Sequence, residues 1–283
     1  MSEAQSSPQT AKQPAYEYAR ECIQDELDEG QLELPLLPQV ASEVLSSTLD
    51  DKANALKLAS LIERDQGLAT HILRIVNSPA FRGSAEIVAL KQAIARLGME
   101  RIREIALTIS LRGSLVSPGP FEELIEDAWS AGLRTALWAK EVARKARKNV
   151  EVAYLCGLLH NVGVAVVVNR VRSMHLADLT KEDMQKLVAE MSAPAGRVLV
   201  EQWHLPEAVS ECFVEPDAED SKDLNQVIAA SKQIAEWHAE DDLDEEEILL
   251  DDAVQYLNFY PDDVDELVEL APSIEELIKD MVR

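Results

Sequence analysis

Residues 154–168 read YLCGLLHNVGVAVVV, and the last seven of them, VGVAVVV (Val162 to Val168), decide the fold class. Their β-branched side chains favour a strand on propensity, yet a fully buried helix carries the same composition, so periodicity leaves both open. His160 and Asn161 are the only strongly polar residues in the fifteen. Polar groups inside such a run must be hydrogen-bonded or must line a cavity.

On the N-terminal side the helical period recurs at i, i+3, i+4, i+7: Ala55, Leu58, Ala59, Ile62; Ala69, Ile72, Leu73, Val76; Leu90, Ala93, Ile94, Leu97; and Ile102, Ile105, Ala106, Ile109. Pro79, Gly83 and Gly98 supply the breaks between these helices. A short helix is expected to begin near Tyr16, after an aperiodic tail. GSLVSPGPF (113–121) holds two Gly and two Pro in nine residues and marks the boundary between two lobes. Beyond it, Met184, Leu187, Val188, Met191 and Ile274, Leu277, Ile278, Met281 keep the period, and Ser273 with Glu276 reads as a capping box.

Composition agrees with helices. The chain has 283 residues, 47% hydrophobic and 28% charged, with only 10 Gly and 5% aromatics, which excludes disordered and collagenous classes and favours an all-α protein. Fifty-two acids against 27 bases give −25, so the chain as a whole repels nucleic acid. The charge is uneven: residues 240–283 carry 17 acids and two bases, whereas residues 134–148 carry six bases and one acid. The acidic segment is either a solvated face or an arm that docks on the basic stretch or on a partner's basic patch.

Cys22, Cys156 and Cys212 are odd in number, widely spaced and lack a CxxC pair, which suggests neither a disulfide framework nor a thiolate metal site. The polar N-terminus lacks the apolar stretch of a signal peptide, and no apolar run approaches the ~20 residues of a bilayer span. A soluble, cytoplasmic protein without membrane association is expected. His71, His175, His204 and His238 stand alone, without a second ligand at metal spacing, leaving His160 as the candidate. Motifs for P-loops, dinucleotide folds, α/β-hydrolases and zinc proteases are absent from the sequence.

Five segments in order, LPLLPQVASEVL, LIERDQGLATHILRIVNSPAFRG, ALKQAIARLGMERIREIAL, CGLLHNVG and EQWHLPEAV, resemble the HDOD family over residues 34 to 240. These are helical relatives of the HD metal-dependent phosphohydrolases, found in bacterial signalling. The resemblance implies a two-lobed all-α fold: a flanking segment at 1–33, an N-terminal lobe at 34–118, an HD-like lobe at 119–240 and an acidic helical extension at 241–283. It also implies a helix through VGVAVVV.

By the same resemblance, the HD hydrolases place their first metal-binding His where Ala131 stands, an aspartate where Asn161 follows His160, and a last aspartate where Ser231 stands. One neutral imidazole with an amide, a methyl and a hydroxyl makes a poor divalent-metal site. The expectation is a non-catalytic signalling module without metal or cofactor, acting through a protein partner or a small ligand. The alternatives are a divergent metal-dependent phosphohydrolase and a nucleotide receptor. The receptor would use a basic strip of Arg96, Arg101, Arg103, Arg134, Lys140, Arg144 and Lys145.

Overall fold

The computed structural model describes residues 14–48, 55–79, 81, 86–213, 222–240 and 244–282. Its elements are α1 (Ala15–Asp28), α2 (Gln39–Thr48), α3 (Ala55–Ile62), α4 (Gln66–Val76), α5 (Leu90–Leu97), α6 (Met99–Leu115), α7 (Glu122–Lys145) and α8 (Val150–Leu159). They continue with α9 (Val162–Ser173), α10 (Lys181–Gln202), α11 (Glu207–Glu211), α12 (Asp223–Glu240), α13 (Glu245–Leu250), α14 (Asp252–Tyr256), α15 (Pro261–Val268) and α16 (Ala271–Val282). The fold is all-α, with no strand among the described residues. The aperiodic tail, the Gly83 break and the first residues of the acidic extension lie outside the described residues.

VGVAVVV is helical, and every residue from Val162 to Val168 is buried. Burying a valine side chain is worth roughly 1.5–3 kcal/mol. The helical cost of β-branching is only a few tenths of that unit, so burial decides. Glycine makes this packing possible: a Cβ on Gly163 would stand 1.7 Å from the Ser192 carbonyl oxygen, and one on Gly157 would stand 2.6 Å from the Ala136 Cα. Backbone thus touches backbone where α9 meets α10 and where α8 meets α7. Asn149 caps α8 by accepting from Val152 N–H at 3.0 Å, and Thr180 with Asp183 forms a capping box on α10.

Val150–Ser173 reaches the length and mean hydropathy, 1.7, of a bilayer span, which the reading of apolar runs missed because His160 and Asn161 interrupt it. Of that window 72% is buried inside the protein, so the surrounding helices serve as its apolar solvent.

Gly98, at φ +84°, turns the chain between α5 and α6. The Gly/Pro-rich connection runs from Val116 to Phe121 and is fastened by α9: Arg172 donates to the Pro120 carbonyl at 2.6 Å and to the Ser117 carbonyl at 2.9 Å. Helix α1 belongs to the core, with Ala19 and Ile23 fully buried, Arg170 donating to Glu26 at 2.7 Å and Tyr16 donating to Glu190 at 2.6 Å.

The acidic extension is docked. Ile248, Val254, Val264, Leu267, Ile274, Ile278 and Met281 are buried in the common core. Around them Arg134 pairs with Glu275 at 3.0 Å, Lys145 pairs with Asp263 at 3.4 Å and with Glu266, and Ser78 donates to Asp280. The extension therefore covers the basic helix α7 and reaches the loop after α4. Ser273 does not cap: α16 starts at Ala271, because Pro272 fits the first helical turn, where its missing N–H costs no hydrogen bond.

Candidate functional site

A cavity of about 460 Å³ opens between the α8–α9 junction and helices α10 and α12. His160 caps the C-terminus of α8 and Asn161 caps the N-terminus of α9, so the break between two buried helices brings this polar pair to the cavity wall. The opposite wall carries Lys232, Gln233 and Glu236 from α12.

His160 Nδ1 lies 2.7 Å from the Gly157 carbonyl. A carbonyl only accepts, so Nδ1 carries the proton and Nε2 is left as an acceptor. Burial pushes the imidazole down to about 4, helped by the positive charge of Lys232 and opposed by the Gly157 bond. The ring is neutral at pH 7. Asn161 caps α9 without a side-chain cap bond and lines the cavity. Asn225 at the edge is committed to structure, donating to the Glu211 carbonyl at 2.8 Å and accepting from Lys222 N–H at 3.0 Å.

Of the four positions assigned to a degenerate HD pocket, the cavity gathers two. Ala131 is exposed on α7. The α7 residues that share a small crevice with Asn161 are Ile125, Ala128 and Trp129. Ser231 is fully buried, its hydroxyl donating to the Val227 carbonyl at 2.5 Å, while its neighbours Lys232 and Ile228 face the cavity. Adjacent helical residues point about 100° apart, so a shift of one position replaces a cavity residue by a core residue.

The donor set does not fit a divalent metal. His160 offers one nitrogen and Asn161 an amide, while the facing wall offers a single carboxylate, Glu236, together with the positive charge of Lys232. Among the described residues there is no group of three or more His, Cys, Asp or Glu side chains able to hold a metal ion.

The basic strip is largely engaged inside the molecule. Arg101 and Lys140 pair with Glu104 at 3.2 and 2.5 Å, Arg103 pairs with Glu100 at 2.7 Å, and Arg144 pairs with Glu141. Arg134 and Lys145 bind the acidic extension as described above, and Arg96 is exposed on α5. An incoming anion would have to displace these carboxylates. The sequence shows the bases but not the acids that fold onto them.

The profile of the HDOD domain matches residues 34–217, which is more than half of the chain. The chain belongs to the HDOD family. It is 25% identical over 199 residues to an uncharacterized protein of Treponema pallidum, covering 66% of the chain but only 37% of that relative's length. Two solved structures share the fold. One, from Shewanella amazonensis, is named "Putative metal-dependent phosphohydrolase" (TM-score 0.71, 19% identity, covering 95% of this chain and 100% of that one). The other, from Marinobacter aquaeolei VT8, is named "Putative signal transduction protein" (TM-score 0.64, 20% identity, covering 97% and 68%). The HDOD match includes the cavity residues His160, Asn161, Cys212 and Phe213, while the α12 wall lies beyond its end at residue 217.

Proposed function

We propose that this HDOD protein is a non-catalytic signal-transduction module whose cavity beside His160 receives a small polar ligand, and whose helical surface passes the occupancy to a protein partner. The observation that supports this reading is a neutral imidazole and Lys232 in one cavity, with Glu236 its one carboxylate where a hydrolase would require several. Lys232 attracts a negative group, His160 Nε2 accepts a hydrogen bond, and Asn161 and Gln233 can each donate and accept. No group there combines a metal-activated water with a general acid. Family membership adds the signalling context, and fold alone would not.

The test is calorimetric titration of the full chain with a panel of nucleotides, cyclic dinucleotides and small carboxylates, repeated on Lys232→Ala. Binding lost at least tenfold in the variant supports the reading. Flat titrations at millimolar ligand, or turnover of a phosphodiester in the presence of Mn²⁺, overturn it.

A further inference from the structure

The three cysteines are separated by scores of residues, yet the fold brings two of their thiols together. Cys156 lies on α8, one turn before His160, and its carbonyl accepts the His160 N–H at 2.9 Å. Cys212 ends α11 and lines the cavity. Both thiols donate to one acceptor, the Ala208 carbonyl, Cys156 at 3.6 Å and Cys212 at 3.1 Å. Sharing that acceptor sets the two thiols side by side, and the neighbouring Cys212 thiol together with burial holds the Cys156 thiol well above its usual range. Their exposure differs: Cys156 is 1% exposed and Cys212 is half-buried at the cavity. Cys22 is on α1, away from the cavity lining.

We propose that Cys212 and Cys156 form a peroxide-reactive dithiol site that closes to a disulfide at the wall of the cavity. The accessible thiol reacts first. The Cys212 thiolate attacks one oxygen of a hydroperoxide, an S–O bond forms as the O–O bond breaks, and the departing hydroxide takes a proton to become water, leaving a sulfenic acid. The buried Cys156 thiol then gives up its proton and attacks Sγ of Cys212. The S–O bond breaks, the oxygen leaves as water, and the disulfide forms. Two thiols and one hydrogen peroxide thus yield one disulfide and two waters, the sulfurs losing two electrons to the peroxide oxygens. High burial suits Cys156 to the resolving role, since it is inert until a partner sulfur beside it becomes electrophilic.

The bond would act on the cavity through Phe213. This residue follows Cys212, lines the cavity, and lays its ring against α10, where a Cβ on Gly196 would stand 2.6 Å from a ring carbon. In the dithiol form these two cysteines tie this wall to α8 only through the hydrogen bond from Cys156 to the Ala208 carbonyl; in the disulfide form it is tied covalently four residues from His160. That this tie regulates ligand entry rests on the function proposed above. The thiol chemistry does not, and its test uses no ligand.

The full-length reduced protein is exposed to hydrogen peroxide under native conditions, its remaining thiols are alkylated, and its peptides are mapped by mass. The expected product is a Cys156–Cys212 linked peptide lighter by two hydrogens, restored by dithiothreitol and still formed in Cys22→Ser. In Cys156→Ser a sulfenic acid on Cys212 should accumulate and be trapped by dimedone. Amide exchange across residues 207–213 should slow in the oxidised wild-type chain. Linkage of Cys212 to Cys22 instead, oxidation of Cys212 straight to sulfinic acid in the wild type, or thiols that react only after denaturation would each overturn the proposal.

Discussion

Gly163 and Ser192 hold α9 and α10 at backbone contact, so close that a methyl group on Gly163 would fall 1.7 Å from the Ser192 carbonyl oxygen. This contact fixes the distance between the helix that begins at the cavity and the helix that walls it. Intrinsic propensity favours alanine over glycine in a helix by about 1 kcal/mol. The clash opposes that gain and wins, because the atom in the way is backbone and cannot rotate aside. Gly163→Ala should cost about 2–4 kcal/mol and lower Tm by roughly 5–15 °C. Gly113 is the control: it is exposed in α6 with nothing within 4 Å of an added Cβ, so Gly113→Ala should stabilise by about 0.5–1 kcal/mol. Thermal denaturation of the two variants should move in opposite directions, and equal shifts would show that α9 and α10 are not in contact.

The acidic extension is held more by its apolar stripe than by its charges. Arg134–Glu275 is the best-placed pair, with side chains 20% and 33% exposed, yet pairs of this exposure contribute about 0–1 kcal/mol. Ile278 is 5% exposed, and truncating such a side chain costs about 2–5 kcal/mol. Ile278→Ala should therefore destabilise more than Glu275→Gln, and limited proteolysis of the wild type should spare α13 to α16. A chain ending at residue 240 that melts like the full chain would refute this account.

The helices were legible because apolar spacing is a local property. Each of the four periodic segments before residue 110 became a helix, and VGVAVVV became one through burial that local propensity does not contain. His160 and Asn161 stood out because polarity is conspicuous inside an apolar run, and the cavity lies there. What failed to show needed distance in space. The contact of Cys156 with Cys212 joins positions far apart in the chain, and the acids that engage Arg103, Lys140 and Lys145 come from other turns and other helices. Ala131 and Ser231 do not line the cavity for a finer reason, since a motif fixes sequence position while rotation about the helix axis decides which side chain reaches the cavity. Ser273 misled because a capping pattern can sit one turn inside a helix when proline opens it.

Glu151 gives a pH signature at the junction of α6 and α8. Burial, with a hydrogen bond to the Glu100 carboxyl, pushes it up to about 7, against the nearby positive charge of Arg103. Its folded value exceeds its unfolded one, so the folded state holds the extra proton between about pH 4.5 and 7, and stability from this group falls as pH rises through that window. Glu151→Gln keeps the hydrogen bond without the charge. It should raise Tm at pH 8 and change it little at pH 5; the reverse order would mean that Glu151 is stabilised as a carboxylate.

Restoring the His-Asp sequence should not restore a metal site. In Asn161→Asp the new carboxylate would sit at the N-cap of α9, where the helix end favours negative charge by about 0.3–1 kcal/mol, and would face the cavity that holds Lys232. Stability should therefore change by less than about 1 kcal/mol. His160 and the new carboxylate make only two ligands on their wall, and Glu236 stands across the cavity one turn from Lys232, whose charge repels a divalent cation, so Mn²⁺ or Fe²⁺ should neither shift Tm nor produce phosphodiester hydrolysis. Adding Ala131→His and Ser231→Asp should not help. The histidine would project from the exposed face of α7, and the aspartate would place an unpaired charge in a fully buried site at a cost of several kcal/mol. The combined variant is expected to fold poorly and bind no metal, as read by calorimetry and elemental analysis. Metal-dependent stabilisation of the single Asn161→Asp protein would require further ligands at the cavity and would return the molecule to the hydrolases.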